Sequence, residues 1–269
     1  MALVYQSILP AVEILDCTDP FDFKPHIHDR YVVWLDTGCA EEYTLGGQRS
    51  VLGRGEIGII EPGRVHSNSA CVREKRHLRS FYVASEFFDE VQGEGPLSAV
   101  NFDNQIQDSE IWGDLARLHH GMMGREQDLE QDVLFHEAMS SLTRRHGKGR
   151  RGLTVSVAGA DWRIKKSLEY FHAHLDQPLR LKPLARLMEC TESHFIRLFK
   201  AQMGIPPHAY LLQLRLERAR QLILEGSSVA QAALGSGFSD QSHLNRRFKL
   251  RYGVTPGQYS RQCQFCSRI

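Results

Sequence analysis

The feature that most constrains this chain is an internal repeat near its C-terminal end. Residues 193–210 have the sequence SHFIRLFKAQMGIPPHAY, and residues 242–259, 49 positions later, have the sequence SHLNRRFKLRYGVTPGQY. Eight of the 18 aligned positions are identical. A duplication of this kind indicates that one supersecondary unit is used twice in the fold.

Each copy predicts two short helices joined by a tight turn. In the second copy, residues 235–237 are Gly-Ser-Gly and interrupt the helical pattern, because glycine tolerates the left-handed backbone of such a turn. Ser239 is the expected N-cap of the following helix, and Gly253 is expected to end it. The apolar residues that should pack the two helices together are Val229, Ala232, Ala233, Leu244 and Phe248.

The first copy predicts the same plan around residues 181–204. Thr191 is the expected N-cap of its second helix. Two short helices joined by a tight turn form the helix-turn-helix unit, whose second helix fits the major groove of DNA. The repeat therefore predicts two DNA-recognition helices. The packing face of the first copy should contain Leu184, Leu187, Met188, Phe195, Leu198 and Phe199.

The segment between the copies is long enough to set their separation. Residues 207–226 form a nearly unbroken helical pattern of about 18 residues, which is about 27 Å at 1.5 Å per residue. Major grooves on one face of B-DNA recur about every 34 Å. A helix of that length is therefore expected to hold the two recognition helices over adjacent grooves. The alternative is an ordinary helical bundle whose arginines are only solvated.

The outward-facing residues of the two recognition helices have the chemistry of base contacts. Arg197 and Arg246 occupy equivalent positions and suit bidentate hydrogen bonds to guanine, whereas amide side chains suit adenine. The amides are Gln241 and Asn245, and the other outward residues expected at base edges are Ser193, His194, Ile196 and Ser242. The basic residues expected to contact phosphates are Lys200, Arg215, Arg247, Lys249 and Arg251.

Charge is divided unevenly along the chain. The net formal charge of +1 combines −13 in residues 1–143, +5 in residues 144–152 and +9 in residues 153–269. A basic C-terminal half suits a polyanion partner, although chance clustering is the alternative. The glycines and like charges of RRHGKGRRG at 144–152 predict a solvated linker. We therefore expect domains at 1–143 and 156–269, separated by a basic flexible linker at 144–155.

The acidic half has the pattern of a β domain followed by helices. Within residues 20–90, short strand-like segments lie between glycine and proline turn signals about every 8–12 residues, which is typical of an antiparallel sandwich or barrel. Residues 104–143 change to a helical period. The fold class predicted for the whole chain is α+β with two domains. The apolar stripes of the two expected helices are Ile111, Leu115, Leu118 and Met122, and then Leu134, Ala138 and Leu142.

Residues 237–262, GFSDQSHLNRRFKLRYGVTPGQYSRQ, closely resemble the signature of the AraC/XylS family of bacterial transcription regulators. With the weaker upstream copy, the resemblance covers about residues 160–262. It implies a tandem helix-turn-helix domain that binds promoter DNA and activates transcription by contacting RNA polymerase. Ile196 departs from the family, where a polar residue is common. The base-facing positions that the resemblance implies are Ser193, Ile196 and Arg197 in the first helix, and Gln241, Ser242, Asn245 and Arg246 in the second.

The N-terminal half resembles the cupin-like effector domain that many members of this family carry. Residues 55–66 follow the second cupin motif, which is glycine, six residues, Pro-Gly, two residues and histidine, here His66. His26 and His28 resemble the start of the first motif. In metal-binding cupins these histidines and a nearby glutamate bind a divalent metal ion. Residues 31–33 are Tyr-Val-Val in this chain, so the expected carboxylate is absent.

Three interpretations of these histidines stay open: a metal site, the wall of a small-molecule pocket, and ordinary structure at the mouth of the barrel. We predict the pocket, because a barrel interior suits one small ligand. We predict no metal and no cofactor. The residues expected to bind the effector are His26, His28, Arg30, Trp34, Tyr43, Arg64 and His66.

The helices expected around residues 111–142 resemble the dimerisation element of the same family. The resemblance implies a homodimer, and the alternative is that the first apolar stripe packs against the barrel of its own domain. The residues implied at a dimer interface are Ile111, Leu115, Leu118 and Met122.

These patterns together predict a cytoplasmic, sequence-specific transcription regulator, and specifically an activator, whose promoter binding is modulated by a small molecule in the N-terminal barrel. No apolar run approaches the roughly 18 residues of a membrane span, and the start of the chain lacks the basic region of a signal peptide. We therefore expect no membrane partner.

Catalysis is not part of this prediction. No nucleophile–base arrangement is visible, so we predict no catalytic residues and no enzyme. The six cysteines have no framework spacing, and Cys263 and Cys266 form an isolated CxxC pair. The alternatives are a regulator that responds to a protein partner or acts constitutively, and a metal-dependent cupin enzyme with a DNA-binding tail.

Overall fold

The described residues fold into an N-terminal domain of antiparallel sheets with three α-helices and an all-helical C-terminal domain. This α+β arrangement confirms the predicted fold class. No helix in the described part of the chain combines the length and apolar character needed to cross a membrane. The computed structural model describes residues 3–9, 12–19, 21–92, 98–123, 129–148, 150–152 and 161–264.

Two main antiparallel sheets form the N-terminal domain, and its described residues also contain a short two-stranded pair. The larger contains β1 (Leu3–Leu9), β2 (Val12–Cys17), β9 (Leu78–Val83), β4 (Tyr31–Asp36), β7 (Glu56–Ile60) and β11 (Gln105–Gln107), in that spatial order. The smaller contains β3 (Phe23–His26), β8 (His66–Ala70), β5 (Glu41–Leu45) and β6 (Gln48–Leu52), also in spatial order. Within the described segments no ladder joins the two main sheets, so the domain is a two-sheet sandwich, which is one of the two antiparallel arrangements that the strand pattern predicted. The strand pattern predicted over residues 20–90 is confirmed.

A large aromatic side chain joins the two sheets. Trp34 on β4 lies opposite Gly58 on β7 in the ladder. A Cβ atom at Gly58 would lie 2.3 Å from the indole ring, so only glycine leaves room for it. From the smaller sheet, Tyr43 meets Trp34 edge-on, with ring centroids 5.4 Å apart. This packing brings β4 and β5 together at the centre of the sandwich.

Three helices cover the outer face of the larger sheet: α1 (Ser85–Gln92), α2 (Ser109–Met122) and α3 (Leu129–His146). One apolar core joins them to the sheet, and Phe135 and Met139 are buried in it. Leu134 was expected in this core, but it is 46% exposed, because the buried face of α3 starts one residue later. The predicted dimer residues of α2 are also buried in this core. They therefore pack within their own domain and are not available to a second copy. These residues are Ile111, Leu115, Leu118 and Met122.

The first part of the predicted linker belongs to the N-terminal domain. Helix α3 continues to His146, and β12 (Arg150–Gly152) pairs with β10 (Ser98–Val100). Two side chains of this stretch have an acidic partner, because Arg145 lies 2.9 Å and His146 lies 2.8 Å from the carboxylate of Asp108. Residues 144–152 are therefore not a solvated linker throughout. Residues 153–155 lie outside the described segments.

The C-terminal domain contains two helix-turn-helix units that share one long helix. Its helices are α4 (Trp162–Ala173), α5 (Leu181–Leu187), α6 (Glu192–Met203), α7 (Pro207–Leu224), α8 (Val229–Gly235), α9 (Gln241–Tyr252) and α10 (Pro256–Gln264). Helix α7 has 18 residues, as expected. Tyr210 and Leu211 at its start belong to the core of the first unit, whereas Leu216 and Ile223 belong to that of the second.

Local signals placed most of these helix boundaries. The Thr191 hydroxyl accepts a hydrogen bond from the His194 amide as the N-cap of α6. Gly204 and Gly253 end α6 and α9 with φ values of 79° and 74°, a left-handed backbone that favours glycine. The N-cap of α9 is Asp240, one residue after the expected Ser239. The expected core residue Leu187 is 44% exposed.

The two domains share a hydrophobic core. Residues from both sheets and from helices α7 to α10 belong to one buried cluster. At the junction Tyr5 of β1 meets Tyr252 and Tyr259, with ring centroids 6.2 Å and 5.1 Å apart. The first helix-turn-helix unit is attached separately, because Ile27 of the N-terminal domain is buried in its core. Each unit therefore contacts the N-terminal domain directly.

Candidate nucleic-acid interface and effector site

Helix α6 presents a polar face to solvent and an aromatic face to the core. Phe195 and Phe199 are fully buried and pack against each other, with ring centroids 5.8 Å apart. Ile196, the apolar departure from the family pattern, is half-buried. The other predicted DNA contacts on this helix are exposed: Ser193, His194, Arg197 and Lys200.

Helix α9 has the same arrangement. Leu244 and Phe248 are fully buried, and Asn245 is half-buried. The Asp240 side chain accepts a hydrogen bond from the His243 amide at 2.7 Å and fixes the start of the helix. The predicted contacts that remain exposed are Gln241, Ser242, Arg246, Arg247 and Lys249.

Two predicted phosphate contacts have structural roles instead. Arg251, at the end of α9, is only 7% exposed and donates a hydrogen bond to the carbonyl of Ile27 at 3.2 Å. Arg215 on α7 is half-buried and donates hydrogen bonds to the carbonyls of Leu175 and Gln177 at 2.7 and 2.5 Å. In this conformation both guanidinium groups donate hydrogen bonds to protein carbonyls.

The three predicted cupin-like histidines lie together at the junction of the domains. His26 at the end of β3 pairs with His66 at the start of β8, and their ring centroids are 4.1 Å apart. The His28 ring lies 5.0 Å from that of His26 and 5.3 Å from that of His66. We call these three residues the histidine cluster. All three side chains are buried.

Hydrogen bonds orient each imidazole of the histidine cluster. Nδ1 of His26 lies 2.5 Å from the carbonyl of Lys24, and Nδ1 of His66 lies 2.9 Å from the carbonyl of Arg64. A carbonyl only accepts, so both Nδ1 atoms carry the proton and both Nε2 atoms keep a lone pair. Arg251 donates to His28, with Nη2 at 3.0 Å from Nε2 and 3.3 Å from Nδ1.

The environment keeps the histidine cluster neutral. Burial lowers the pKa of His66 to about 3. Burial also lowers the pKa values of His26 and His28 well below their usual range, and the positive charge of Arg251 lowers them further. Neutral imidazole is the form that accepts hydrogen bonds and binds metal ions.

The space beside the histidine cluster is small. A cavity of about 20 Å³ is lined by the cluster together with Trp34, Asn68 and Tyr82, among others. That volume holds about one water molecule. Of the seven residues predicted to bind the effector, the three histidines and Trp34 line this cavity, while Tyr43 packs behind Trp34.

The two predicted effector arginines lie elsewhere. Arg64 is half-buried and pairs with Glu61 at 3.3 Å. Arg30 lies at the domain junction, 3.4 Å from the carboxylate of Glu13, and lines a second cavity of about 10 Å³. The seven residues predicted to bind the effector therefore do not all line the cavity beside the histidine cluster.

A buried polar network at the domain junction was not predicted from the sequence. Arg220 on α7 is 4% exposed and donates hydrogen bonds to the carboxylates of Glu13 on β2 and Glu217 on α7. The Tyr259 hydroxyl also donates to Glu13, and the Tyr252 hydroxyl donates to Glu217 at 3.1 Å. The sequence gives little indication of this network, because Glu13 and its partner Arg220 lie 207 positions apart.

The isolated CxxC pair is only partly described. The Cys263 thiol is buried beside Glu13, with Sγ 3.8 Å from Oε1, and burial raises its pKa above the usual range. Such a thiol is a poor nucleophile, because the thiolate is the reactive form. Cys266 lies outside the described residues.

Two family models match the chain. One, described as an AraC-like ligand binding domain, matches residues 11–139. The other, described as a helix-turn-helix domain, matches residues 184–262. The first match contains the histidine cluster, and the second contains both recognition helices.

Curated relatives match either most of the chain or its C-terminal part. The uncharacterized HTH-type transcriptional regulator YbfI of Bacillus subtilis is 26% identical over 226 residues, which are 82% of this chain and 81% of that protein. HTH-type transcriptional regulator CdhR of Pseudomonas aeruginosa is 27% identical over 234 residues, 84% of this chain and 66% of that protein. The probable transcriptional regulator LumQ of Photobacterium leiognathi is 40% identical over 91 residues, 34% of this chain and 37% of that protein.

Among solved structures, the fold is similar to that of ToxT from Vibrio cholerae. An apo form of a ToxT variant superposes with a TM-score of 0.57 at 11% identity, covering 93% of this chain and 96% of that chain. Wild-type ToxT bound to an unsaturated fatty acid superposes with a TM-score of 0.56 at 11% identity, covering 98% and 100%. At this identity the similarity establishes the fold alone.

Proposed function

Because the chain belongs to the AraC family of transcription regulators, we propose that it recognises a specific promoter sequence and activates transcription in response to an effector bound by its N-terminal domain. The proposed partners are duplex DNA, RNA polymerase and the effector. No catalytic step is part of this function. A homodimer through α2 is not part of it either, since the apolar stripe of that helix is buried within the chain.

The observation that carries the proposal is the duplicated arrangement of α6 and α9. Both helices have 12 residues, a side-chain N-cap and a left-handed glycine at the end. In both, a row of buried apolar residues fixes the helix against its unit, and the polar side chains of the opposite face are exposed. This is the presentation that direct contact with base edges in a major groove requires.

The exposed side chains divide into two roles. Arg197 and Arg246 are the proposed guanine contacts, because a guanidinium reaches O6 and N7 of one base together. The remaining proposed base contacts are Ser193, His194, Ile196, Gln241, Ser242 and Asn245. The proposed phosphate contacts are Lys200, Arg247 and Lys249, which position the helices without reading sequence.

Helix α7 supports simultaneous binding by both units. Its 18 residues span about 27 Å, close to the spacing of about 34 Å between successive major grooves. The two units are also packed on this one helix, which limits their independent movement. We therefore expect a protected site of about two turns of duplex, or about 20 base pairs. Protection of one turn only would contradict simultaneous binding.

Two adjacent arginines provide a matched test of base recognition. Binding sites are selected from random duplexes with the wild-type chain, Arg246→Ala and Arg247→Ala. Arg246→Ala should lose preference at one base step and bind the wild-type site more weakly by about 1–3 kcal/mol. Arg247→Ala should keep the selected sequence and lower the slope of log affinity against log salt by about one.

Three results would contradict the proposal. The first is that the wild-type chain selects no sequence. The second is that Arg246→Ala weakens binding to all duplexes equally, which would make Arg246 a phosphate contact. The third concerns activation: in a reporter fused to the selected site, removal of this chain should lower expression, and a rise in expression would make it a repressor.

A further inference from the structure

The histidine cluster has the donor set of a divalent metal site. One nitrogen from each of His26, His28 and His66 lies within 4.8 Å of the others. Zinc–nitrogen bonds of about 2.1 Å in a tetrahedral site set about 3.4 Å between ligand nitrogens. A contraction of at most about 1.4 Å therefore brings these imidazoles to bonding distance. The site differs from the cupin pattern described above because it offers three imidazoles and no carboxylate.

The partners of the imidazoles favour metal binding over simple structural packing. His26 and His66 each donate Nδ1–H to a backbone carbonyl, which leaves the lone pair of each ring on Nε2. Histidines that bind metal ions almost always have the second nitrogen held by a carbonyl or carboxylate in this way. Two ligands of the cluster are therefore already held in the required tautomer.

The cavity beside the cluster suits an ion and does not suit a metabolite. Its volume is about 20 Å³, whereas sites for small organic ligands have volumes of about 300–1,000 Å³. A metal ion held by three imidazoles needs room only for itself and about one water ligand. Imidazole ligands select ions such as Zn²⁺, Cu²⁺, Ni²⁺ and Fe²⁺ rather than Mg²⁺ or Ca²⁺.

Arg251 and a metal ion compete for the same lone pair. Arg251 donates to His28, whose nitrogens lie 3.0 and 3.3 Å from Nη2. A neutral imidazole has one lone pair and one N–H group. When a metal ion takes the lone pair, the other nitrogen is a donor and cannot accept from a guanidinium. Metal binding therefore breaks the hydrogen bond from Arg251 whichever nitrogen of His28 is used.

The proposed metal ligands also lie next to the contacts that hold the two helix-turn-helix units against the N-terminal domain. Ile27, between two of the ligands, is buried in the core of the first unit and accepts a hydrogen bond from Arg251 of the second. Val65, next to His66, packs against the first unit, and a Cβ atom at Gly204 would lie 3.7 Å from its side chain. Movement of the histidine cluster is thus transmitted to both units.

Building on the proposed regulatory function, we propose that the effector is a divalent transition-metal ion such as Zn²⁺, bound by His26, His28 and His66. Its binding displaces Arg251 from His28 and releases the end of α9 from the N-terminal domain. The released guanidinium becomes available to a phosphate of bound DNA. This replaces the prediction of a small-molecule effector in the barrel and the prediction that no metal is bound.

The first experiment measures metal binding by the full chain without DNA. Chelator-treated protein is titrated with Co²⁺, followed by its visible absorption, and then with Zn²⁺ in competition. We expect one ion per chain with the absorption of a tetrahedral site. His66→Ala should weaken binding by at least about a hundredfold, because loss of a ligand exceeds the effect of losing an outer hydrogen bond. The control is His120→Ala, which removes an exposed histidine of α2 and should leave the affinity unchanged.

The second experiment removes the competing cation. Arg251→Met should bind Zn²⁺ about tenfold to a hundredfold more tightly than the wild-type chain, because a hydrogen bond from a charged donor no longer has to be broken. A gain in affinity cannot result from misfolding. Arg261→Met removes an exposed arginine of α10 and is the matched control. Absence of stoichiometric metal binding, or equal affinities of Arg251→Met and the wild-type chain, would overturn the inference.

The third experiment separates this inference from the proposed function. Affinity for the selected duplex is measured with and without Zn²⁺. The wild-type chain should bind more tightly with Zn²⁺, and the slope of log affinity against log salt should steepen by about 0.9 as one phosphate contact is added. Arg251→Met should not respond to Zn²⁺. Sequence-specific binding that ignores Zn²⁺ overturns only the metal inference, whereas loss of sequence-specific binding under all conditions overturns the proposed function.

Discussion

Replacement of Arg220 by methionine tests the junction between the domains. Arg220 is the centre of the buried network there, at 4% exposure, and it binds Glu13 from the N-terminal domain and Glu217 from its own helix. It also lies 3.4 Å from the exposed Asp29. Methionine keeps the unbranched apolar stem of the side chain to about the position of Nε. The substitution therefore removes the charge and its hydrogen bonds while keeping the packing of that stem.

The expected loss of stability depends on the partners that Glu13 and Glu217 retain after the substitution. Removal of one partner from a buried ion pair costs about 3–5 kcal/mol, because the other charge stays buried without compensation. Glu13 keeps Arg30 at 3.4 Å, and Glu217 keeps the Tyr252 hydroxyl at 3.1 Å. Because both glutamates retain at least one partner, we expect the lower end of the range, about 3 kcal/mol in the free energy of unfolding.

Equilibrium unfolding of the full chain in urea is the appropriate assay. The matched control is Arg218→Met, which removes a partly exposed arginine from the same helix and should change the free energy of unfolding by at most about 0.5 kcal/mol. Tyr5, Tyr252 and Tyr259 meet at the junction, so the near-ultraviolet circular dichroism of these rings reports on the same contact. It should weaken in Arg220→Met before the helical signal changes.

A double-mutant cycle with Glu13→Gln decides whether the network acts across the domains. If Arg220 and Glu13 stabilise each other, the double variant should be more stable than the sum of the single losses predicts, by about 0.5–3 kcal/mol. Additive effects would refute the reasoning, because they would mean that the contact between Arg220 and Glu13 contributes no coupling free energy. Equal losses for Arg220→Met and Arg218→Met would refute it as well.

Three further predictions concern the remainder of the fold. Gly58→Ala should destabilise the chain by about 1–3 kcal/mol, because its methyl group would overlap the Trp34 ring. In contrast, Gly113→Ala on α2 should stabilise it by about 0.5–1 kcal/mol, because the nearest atom is the flexible end of an arginine; urea unfolding measures both. The His243 amide donates to Asp240 and lowers its pKa. The cap therefore stabilises the helix fully above the ordinary pKa of 3.8, and this stabilisation is lost as the pH falls through the lowered pKa of Asp240. The Asp240→Asn variant has no carboxylate to protonate at this position. Its helical signal should therefore be less sensitive to acid than that of the wild-type chain.

The recognition helices could be predicted because their signals are local. A cap, an apolar pair one turn apart and a glycine after the last turn lie within about a dozen residues, and all three determine the same helix. Phe195 and Phe248 are buried as predicted. Two of the errors are shifts of a single residue: Ser239 and Asp240 both favour an N-cap, and on α3 Leu134 and Phe135 both continue a helical apolar stripe. Intrinsic preference does not distinguish such neighbours, so tertiary packing decides.

The roles of the arginines could not be predicted in the same way. Arg246 and Arg251 lie on one helix and have the same chemistry, but Arg246 is exposed and Arg251 is 7% exposed. The difference comes from Ile27 and His28, which lie more than 220 positions earlier in the chain. No periodicity within α9 carries that information. Long-range contacts also explain why Glu13 was not recognised as part of a site.

The uneven charge of the two halves has a second consequence that the sequence alone did not indicate. The acidic half supplies Glu13 and Asp29 to the junction, and the basic half supplies Arg220. Part of the charge difference therefore holds the domains together instead of facing a polyanion. Arg251 is a second basic residue that holds the domains together, because its guanidinium binds Ile27 and His28 of the N-terminal domain. The phosphates of DNA would attract the same guanidinium. Since one cation cannot satisfy both, any ligand that takes the lone pair of His28 shifts Arg251 toward DNA.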